Sequence, residues 1–103
     1  MIDLFAYGTL LLEDVQERII GRRVKVQPNQ LHGYRKGSIT IGISTYPRIE
    51  RDAGSTVDGG VLSITDEELS RIDQYEGAEY DRVTVTLADG STAQAYVKPR
   101  AQH

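Results

Sequence analysis

The residue best suited to acid–base chemistry lies in the segment running from Thr65 to Arg82. Thr65 followed three residues later by Glu68 is a capping box, which predicts a helix from Asp66. Gly77 suits the left-handed position beyond a helix C-terminus, so the helix should stop near Glu76. At about 100° per residue, Leu69, Ile72 and Glu76 fall within roughly 60° of one another. A carboxylate thus closes the stripe that Leu69 and Ile72 turn toward the core. Burial and the negative end of the helix dipole both disfavour its charge and push its pKa up, toward the range for proton transfer at neutral pH. Arg82 is the obvious cation to oppose that shift. From this segment alone, Glu76 either faces inward or swings out to water at a frayed last turn.

The second feature is Tyr7-Gly8-Thr9-Leu10, a strand-to-helix turn without proline. Its amides, at the positive end of a helix, could hold a carboxylate or phosphate, and Gly8 would let a ligand approach the main chain. An ordinary tight connection that needs a small residue is the other reading. Tyr7 and Tyr80 adjoin the two stretches and are the tyrosines expected to line a pocket.

Other chemistries are poorly supplied. There is no Cys, hence no disulfide framework, thiolate metal site or thiol nucleophile. His32 and His103 are the only histidines, leaving little for a metal site or a Ser-His-Asp triad. No dinucleotide or P-loop glycine pattern occurs, and no cofactor is implied. Asp73 and Glu76 lie one helical turn apart, whereas paired glycosidase carboxylates usually come from separate elements.

The elements that must position these residues follow from periodicity. Ile2 to Tyr7 alternates as a strand, and Leu12, Val15 and Ile19 suit a short helix ending at Gly21. Arg22 to Val26 leads into a strand through Leu31 to Tyr34, with Gly33 at a bend or bulge. Ile39 to Ile43 alternates, Pro47 suits an edge or a lining loop, and Arg51 to Ser55 has the composition of an exposed turn. Gly60 to Ile64 is a short strand feeding the capped helix. Arg82 to Leu87 and Thr92 to Val97 read as an antiparallel hairpin around Asp89-Gly90. Pro99 ends the last strand, and Arg100 to His103 should fray. About six short strands and two short helices indicate an α+β fold, a small mixed, strongly bent sheet or partly closed β-barrel.

The 103 residues predict one domain able to bury roughly 60–70% of its unfolded surface. A net charge of −3 and no basic run longer than Arg22-Arg23 argue against nucleic acid as a partner. No apolar run approaches membrane-spanning length, and the apolar N-terminus contains Asp3 and lacks a basic leader, so a cytoplasmic protein is expected.

Tyr7-Gly8-Thr9-Leu10, Leu31-x-Gly33-Tyr34, Tyr46-Pro47, Gly60-Val61 and Asp73-x-x-Glu76-Gly77-x-x-Tyr80-x-Arg82 together resemble the gamma-glutamylcyclotransferase-like family. The likeness is greatest to its short members, grouped with plant avirulence-induced proteins and gamma-glutamylamine cyclotransferases, and it extends from Ile2 to about Val97. It implies a small mixed barrel with flanking helices. It also implies that Tyr7, Gly8, Thr9 and Leu10 bind the gamma-glutamyl end of a substrate, that Glu76 is the acid/base, and that Tyr80 shapes the cavity. Ile72 stands where many members have Leu, a volume-neutral difference. Larger members have a longer C-terminal part bordering the cavity, so the leaving amine stays open. The implied reaction closes a gamma-glutamyl amide to 5-oxoproline and frees an amine. A non-catalytic metabolite-binding module with the same pocket is the alternative, and a self-associating scaffold is a third.

Overall fold

The computed structural model describes residues 1–99, so the expected fraying of Arg100 to His103 lies outside the described residues. Strand β1 (Ile2–Ala6) leads through a single 3-10 turn (Thr9–Leu11) into helix α1 (Glu13–Ile19). Two long strands follow, β2 (Val26–Ile41) and β3 (Ser44–Ile64), then helix α2 (Asp66–Glu76), a 3-10 turn (Gly77–Glu79), β4 (Asp81–Thr86) and β5 (Thr92–Val97). They form one mixed sheet in the order β2-β3-β1-β5-β4. β1 is antiparallel to β3, with Leu4 opposite Leu62 and Ala6 opposite Gly60, and parallel to β5. The sheet curls until its two ends approach. The Ala88 amide donates to the Gln30 carbonyl at 2.8 Å, and the Lys98 amide donates to the Ile49 carbonyl at 2.8 Å. The result is the partly closed α+β barrel expected from the pattern.

β1 is buried on both faces, which is why it reads as nearly continuous apolar sequence. Leu4 and Ala6 pack with Ile20, Leu62, Ile64, Leu69 and Ile72 under the helices. Phe5 and Tyr7 pack inside the curl with Leu31, Ile49, Val57, Val85 and Ala95. Each of the Leu, Ile, Val and Phe side chains among them stabilises the fold by about 1.5–3 kcal/mol when removed from water. The chain leaving β1 is therefore anchored on both sides.

Helix α2 occupies the expected span. The Glu68 amide donates to Thr65 Oγ1 at 3.1 Å, and the Thr65 amide donates to Glu68 Oε1 at 2.9 Å. Glu68 is itself buried, and Arg22 donates to both of its oxygens at 2.7 and 2.9 Å. Those bonds, against the cost of burial, hold its carboxyl down at about 2. Gly77 takes φ +70 and ends the helix.

The structure departs from the sequence reading in several places. Among the described residues there are five strands rather than about six, because Leu31–Tyr34 and Ile39–Ile41 are one strand and the chain reverses at Gly42-Ile43, with Ile41 opposite Ser44. Gly42 adopts φ +63 and marks a tight hairpin inside the alternating Ile39 to Ile43 segment. Arg51 to Ser55 is no turn between elements. Tyr34 pairs with Arg51 and His32 with Thr56, so residues 52–55 bulge opposite Gly33 within β3. Their turn chemistry is real but local: Asp52 accepts from the Gly54 amide at 3.3 Å and from the Ser55 hydroxyl at 3.0 Å. Leu12, expected on the buried face of α1, precedes the helix and is 54% exposed.

Candidate active site

The C-terminal end of β1 opens onto a cavity of about 470 Å³, within the usual range for a small-molecule site. All six residues singled out in the sequence line it: Tyr7, Gly8, Thr9 and Leu10 from the first turn, Glu76 from the last turn of α2, and Tyr80 just beyond it. Tyr46 and Pro47 at the start of β3 and Ile41 at the end of β2 complete the mouth. Pro47 occupies an edge: at this level β3 pairs with β2 alone, because β1 reaches only Gly60 to Ile64.

The first turn is shaped by a close approach. A Cβ at Gly8 would lie 2.8 Å from Cγ of Pro47, so any larger residue would push the turn away from β3. The Leu11 amide donates to the Gly8 carbonyl, and the Leu12 amide to the Thr9 carbonyl. Among the described residues, no main-chain carbonyl accepts from the amides of Gly8, Thr9 or Leu10. Those three donors are left without a main-chain partner on residues that line the cavity. Leu10 also anchors the turn through its buried side chain and its carbonyl, which accepts from Gln16 Nε2 at 2.8 Å. Gln16 Oε1 accepts from the Val24 amide at 2.9 Å. Periodicity gave no sign of Gln16, because a fully buried polar residue on α1 interrupts the apolar stripe it belongs to.

Glu76 faces the cavity and is half-buried, which resolves the two outcomes open in the sequence. Burial pushes its carboxyl from an ordinary 4.5 to about 7. Arg82, the expected opposing cation, is engaged elsewhere. Its Nε donates to Asp73 Oδ1 at 2.9 Å and its Nη2 to Asp73 Oδ2 at 3.3 Å. Asp73 also accepts from the Tyr96 hydroxyl at 2.6 Å. The carboxylate one turn before Glu76 thus clamps the end of α2 onto β4 and β5.

Tyrosines tie the cavity walls together. The Tyr7 hydroxyl donates to the Tyr96 carbonyl at 2.5 Å, and the Tyr80 hydroxyl donates to the Pro47 carbonyl at 2.9 Å. The Tyr75 hydroxyl lies 3.2 Å from Thr9 Oγ1, joining the end of α2 to the first turn. Burial, with Tyr80 and Glu76 nearby, raises the Tyr7 phenol well above its ordinary value, so it stays a neutral donor. Sequence reasoning singled out Tyr7 and Tyr80 and missed Tyr46, Tyr75 and Tyr96, which also line the cavity.

The raised carboxyl has a cost in stability. Glu76 holds its proton to higher pH folded than unfolded, so its contribution to stability is complete below about 4.5 and is lost as pH rises through 7. Glu76→Gln removes the titration. It should be more stable than the wild type at pH 8, on the order of 1–3 kcal/mol, with little difference at pH 4.5. Thermal denaturation of both proteins at the two pH values checks this, and equal shifts at both would contradict it.

A model of the family described as gamma-glutamyl cyclotransferase, AIG2-like, matches residues 4–103, and the chain belongs to that family. AIG2-like protein D of Arabidopsis thaliana is 34% identical over 101 residues, covering 95% of this chain and 65% of that protein. AIG2-like protein C of the same plant is 38% identical over 90 residues, covering 82% of this chain and 49% of that protein. A solution structure of an Arabidopsis thaliana protein superimposes with a TM-score of 0.80 at 33% identity, over 94% of this chain and 61% of that one. The chain thus spans from about half to 65% of the length of these relatives. Among the described residues, no helix is long and apolar enough to cross a membrane, and no cluster of acidic or histidine side chains could hold a metal.

Proposed function

We propose that the chain is a cytoplasmic cyclotransferase that converts a small gamma-glutamyl amide to 5-oxoproline and a free amine, with Glu76 as general acid/base. The observation that carries this reading is the placing of a carboxyl with a pKa near 7 in the same cavity as three unengaged main-chain amides. The substrate's α-amino nitrogen attacks its own γ-carbonyl carbon, so no protein nucleophile is required. The α-ammonium first gives one proton to solvent, which frees its lone pair, and Glu76 takes a second from the same nitrogen as the new C–N bond forms. The carbonyl π electrons move to the oxygen, and the amides of Gly8, Thr9 and Leu10 meet this charge or the substrate's carboxylate. When the tetrahedral centre collapses, the bond to the leaving nitrogen breaks and Glu76 returns the proton to it. Tyr7 and Tyr80 shape the walls that hold the substrate folded for ring closure. A binding module for carboxylates fits less well, because an uncompensated acid facing the ligand would repel it. Incubation with gamma-glutamyl amino acids, gamma-glutamylamines and gamma-glutamyl-lysine, assaying 5-oxoproline, tests the reading. Product from at least one is expected, and none from any would favour the binding module.

A further inference from the structure

Arg18 stands apart from the other arginines around the helices. Arg22, Arg23, Arg71 and Arg82 each pair with a carboxylate, whereas Arg18 pairs with none among the described residues. It lines the cavity, and apart from Glu76 no other charged residue among the described ones does so. On α1 it follows Val15 by three residues, which puts both on the face turned to the cavity. Its backbone stands about 7.5 Å farther along the helix axis than that of Glu13, at 1.5 Å per residue. The cavity therefore offers two partners for an anion, the amides of Gly8 to Leu10 and the Arg18 guanidinium.

A gamma-glutamyl amide of a simple amine carries one carboxylate, on its glutamyl carbon. A gamma-glutamyl amino acid carries a second, on the leaving residue. We propose that Arg18 pairs with this second carboxylate, so that the preferred substrates are gamma-glutamyl amino acids rather than gamma-glutamylamines. The assignment rests on the cyclotransferase reading above and names its leaving group. Space allows it: 470 Å³ would hold on the order of fifteen waters at about 30 Å³ each, more than a glutamyl group alone displaces. Ile41, Tyr46 and Tyr75, each partly exposed at the mouth, give the leaving residue's side chain an apolar and aromatic seat.

Gamma-glutamyl-alanine and gamma-glutamyl ethylamide differ only by that carboxylate. The wild type should prefer the first in kcat/KM by on the order of tenfold or more, the range for a hydrogen-bonded charge pair. Arg18→Gln should collapse the ratio to within about twofold of unity, and Arg18→Lys should restore part of it. An unchanged ratio in Arg18→Gln overturns the assignment. If the wild type releases 5-oxoproline from neither compound, nor from any other gamma-glutamyl compound of the panel above, the cyclotransferase reading itself fails. Calorimetric binding of both compounds, with and without Arg18→Gln, then decides the Arg18 pairing alone. A diacid preference abolished by the substitution supports it, and equal affinities overturn it.

Discussion

Glu76→Gln is expected to lower kcat for 5-oxoproline release on the order of 10²–10⁴-fold, with a much smaller change in KM. Gln matches the carboxylate in shape and fills the same half-buried position, but it can neither take a proton from the attacking nitrogen nor return one to the leaving nitrogen. The amides of the first turn remain, so residual turnover above the uncatalysed rate should persist. Unfolding would not explain the loss, since the same substitution should stabilise the protein at pH 8. Glu76→Asp keeps the acid and withdraws it by one methylene, and should fall between the two. Turnover within a few-fold of wild type in Glu76→Gln would remove Glu76 from the chemistry.

Gly59→Ala is expected to carry the largest stability loss, about 3 kcal/mol or more, seen as a lowered denaturation midpoint. A Cβ there would lie 2.3 Å from the Ala6 carbonyl oxygen and 2.7 Å from Cζ of Phe5. One neighbour is main chain and the other a fully buried ring, so neither can yield cheaply. The strain falls on the end of β1 immediately before Tyr7, so activity should drop beyond the fraction unfolded. A midpoint within 0.5 kcal/mol of wild type would show that β1 can shift on β3. The first turn would then be less firmly placed than the packing implies.

Local signals are legible in the sequence where a side chain meets its own backbone. Thr65, Glu68 and Gly77 fixed both ends of α2 and, through the helical repeat, the side on which Glu76 emerges. Asp89-Gly90 joined β4 to β5, although the loop closes more widely, with the Leu87 amide donating to the Ser91 carbonyl at 2.7 Å. Signals whose meaning depends on distant partners were less legible. Asp52 to Ser55 has turn chemistry whether it ends a strand or bulges from one, and only pairing with β2 decides. The parallel register of β1 on β5 leaves no mark on either strand alone. Arg82 is nine residues from Asp73 and six from Glu76, and spacing could not say which acid it would take. Gln16 and Tyr96 belong to the site's supports through partners far along the chain, Val24 and Asp73. The candidate acid and the candidate donor turn were both evident, whereas the frame that brings them to one cavity was not.

The proposed activity turns on an inward carboxyl, that of Glu76, which should titrate near neutrality and set the rate. Carbon-13 NMR titration of the Glu76 carboxyl, run beside the pH dependence of kcat/KM, measures both at once. Glu76 should titrate near 7 in the free protein, and kcat/KM should rise with pH through the same inflection, because the ionised form accepts the proton. A carboxyl titrating near 4.5, with kcat/KM flat between pH 5.5 and 8, would contradict it.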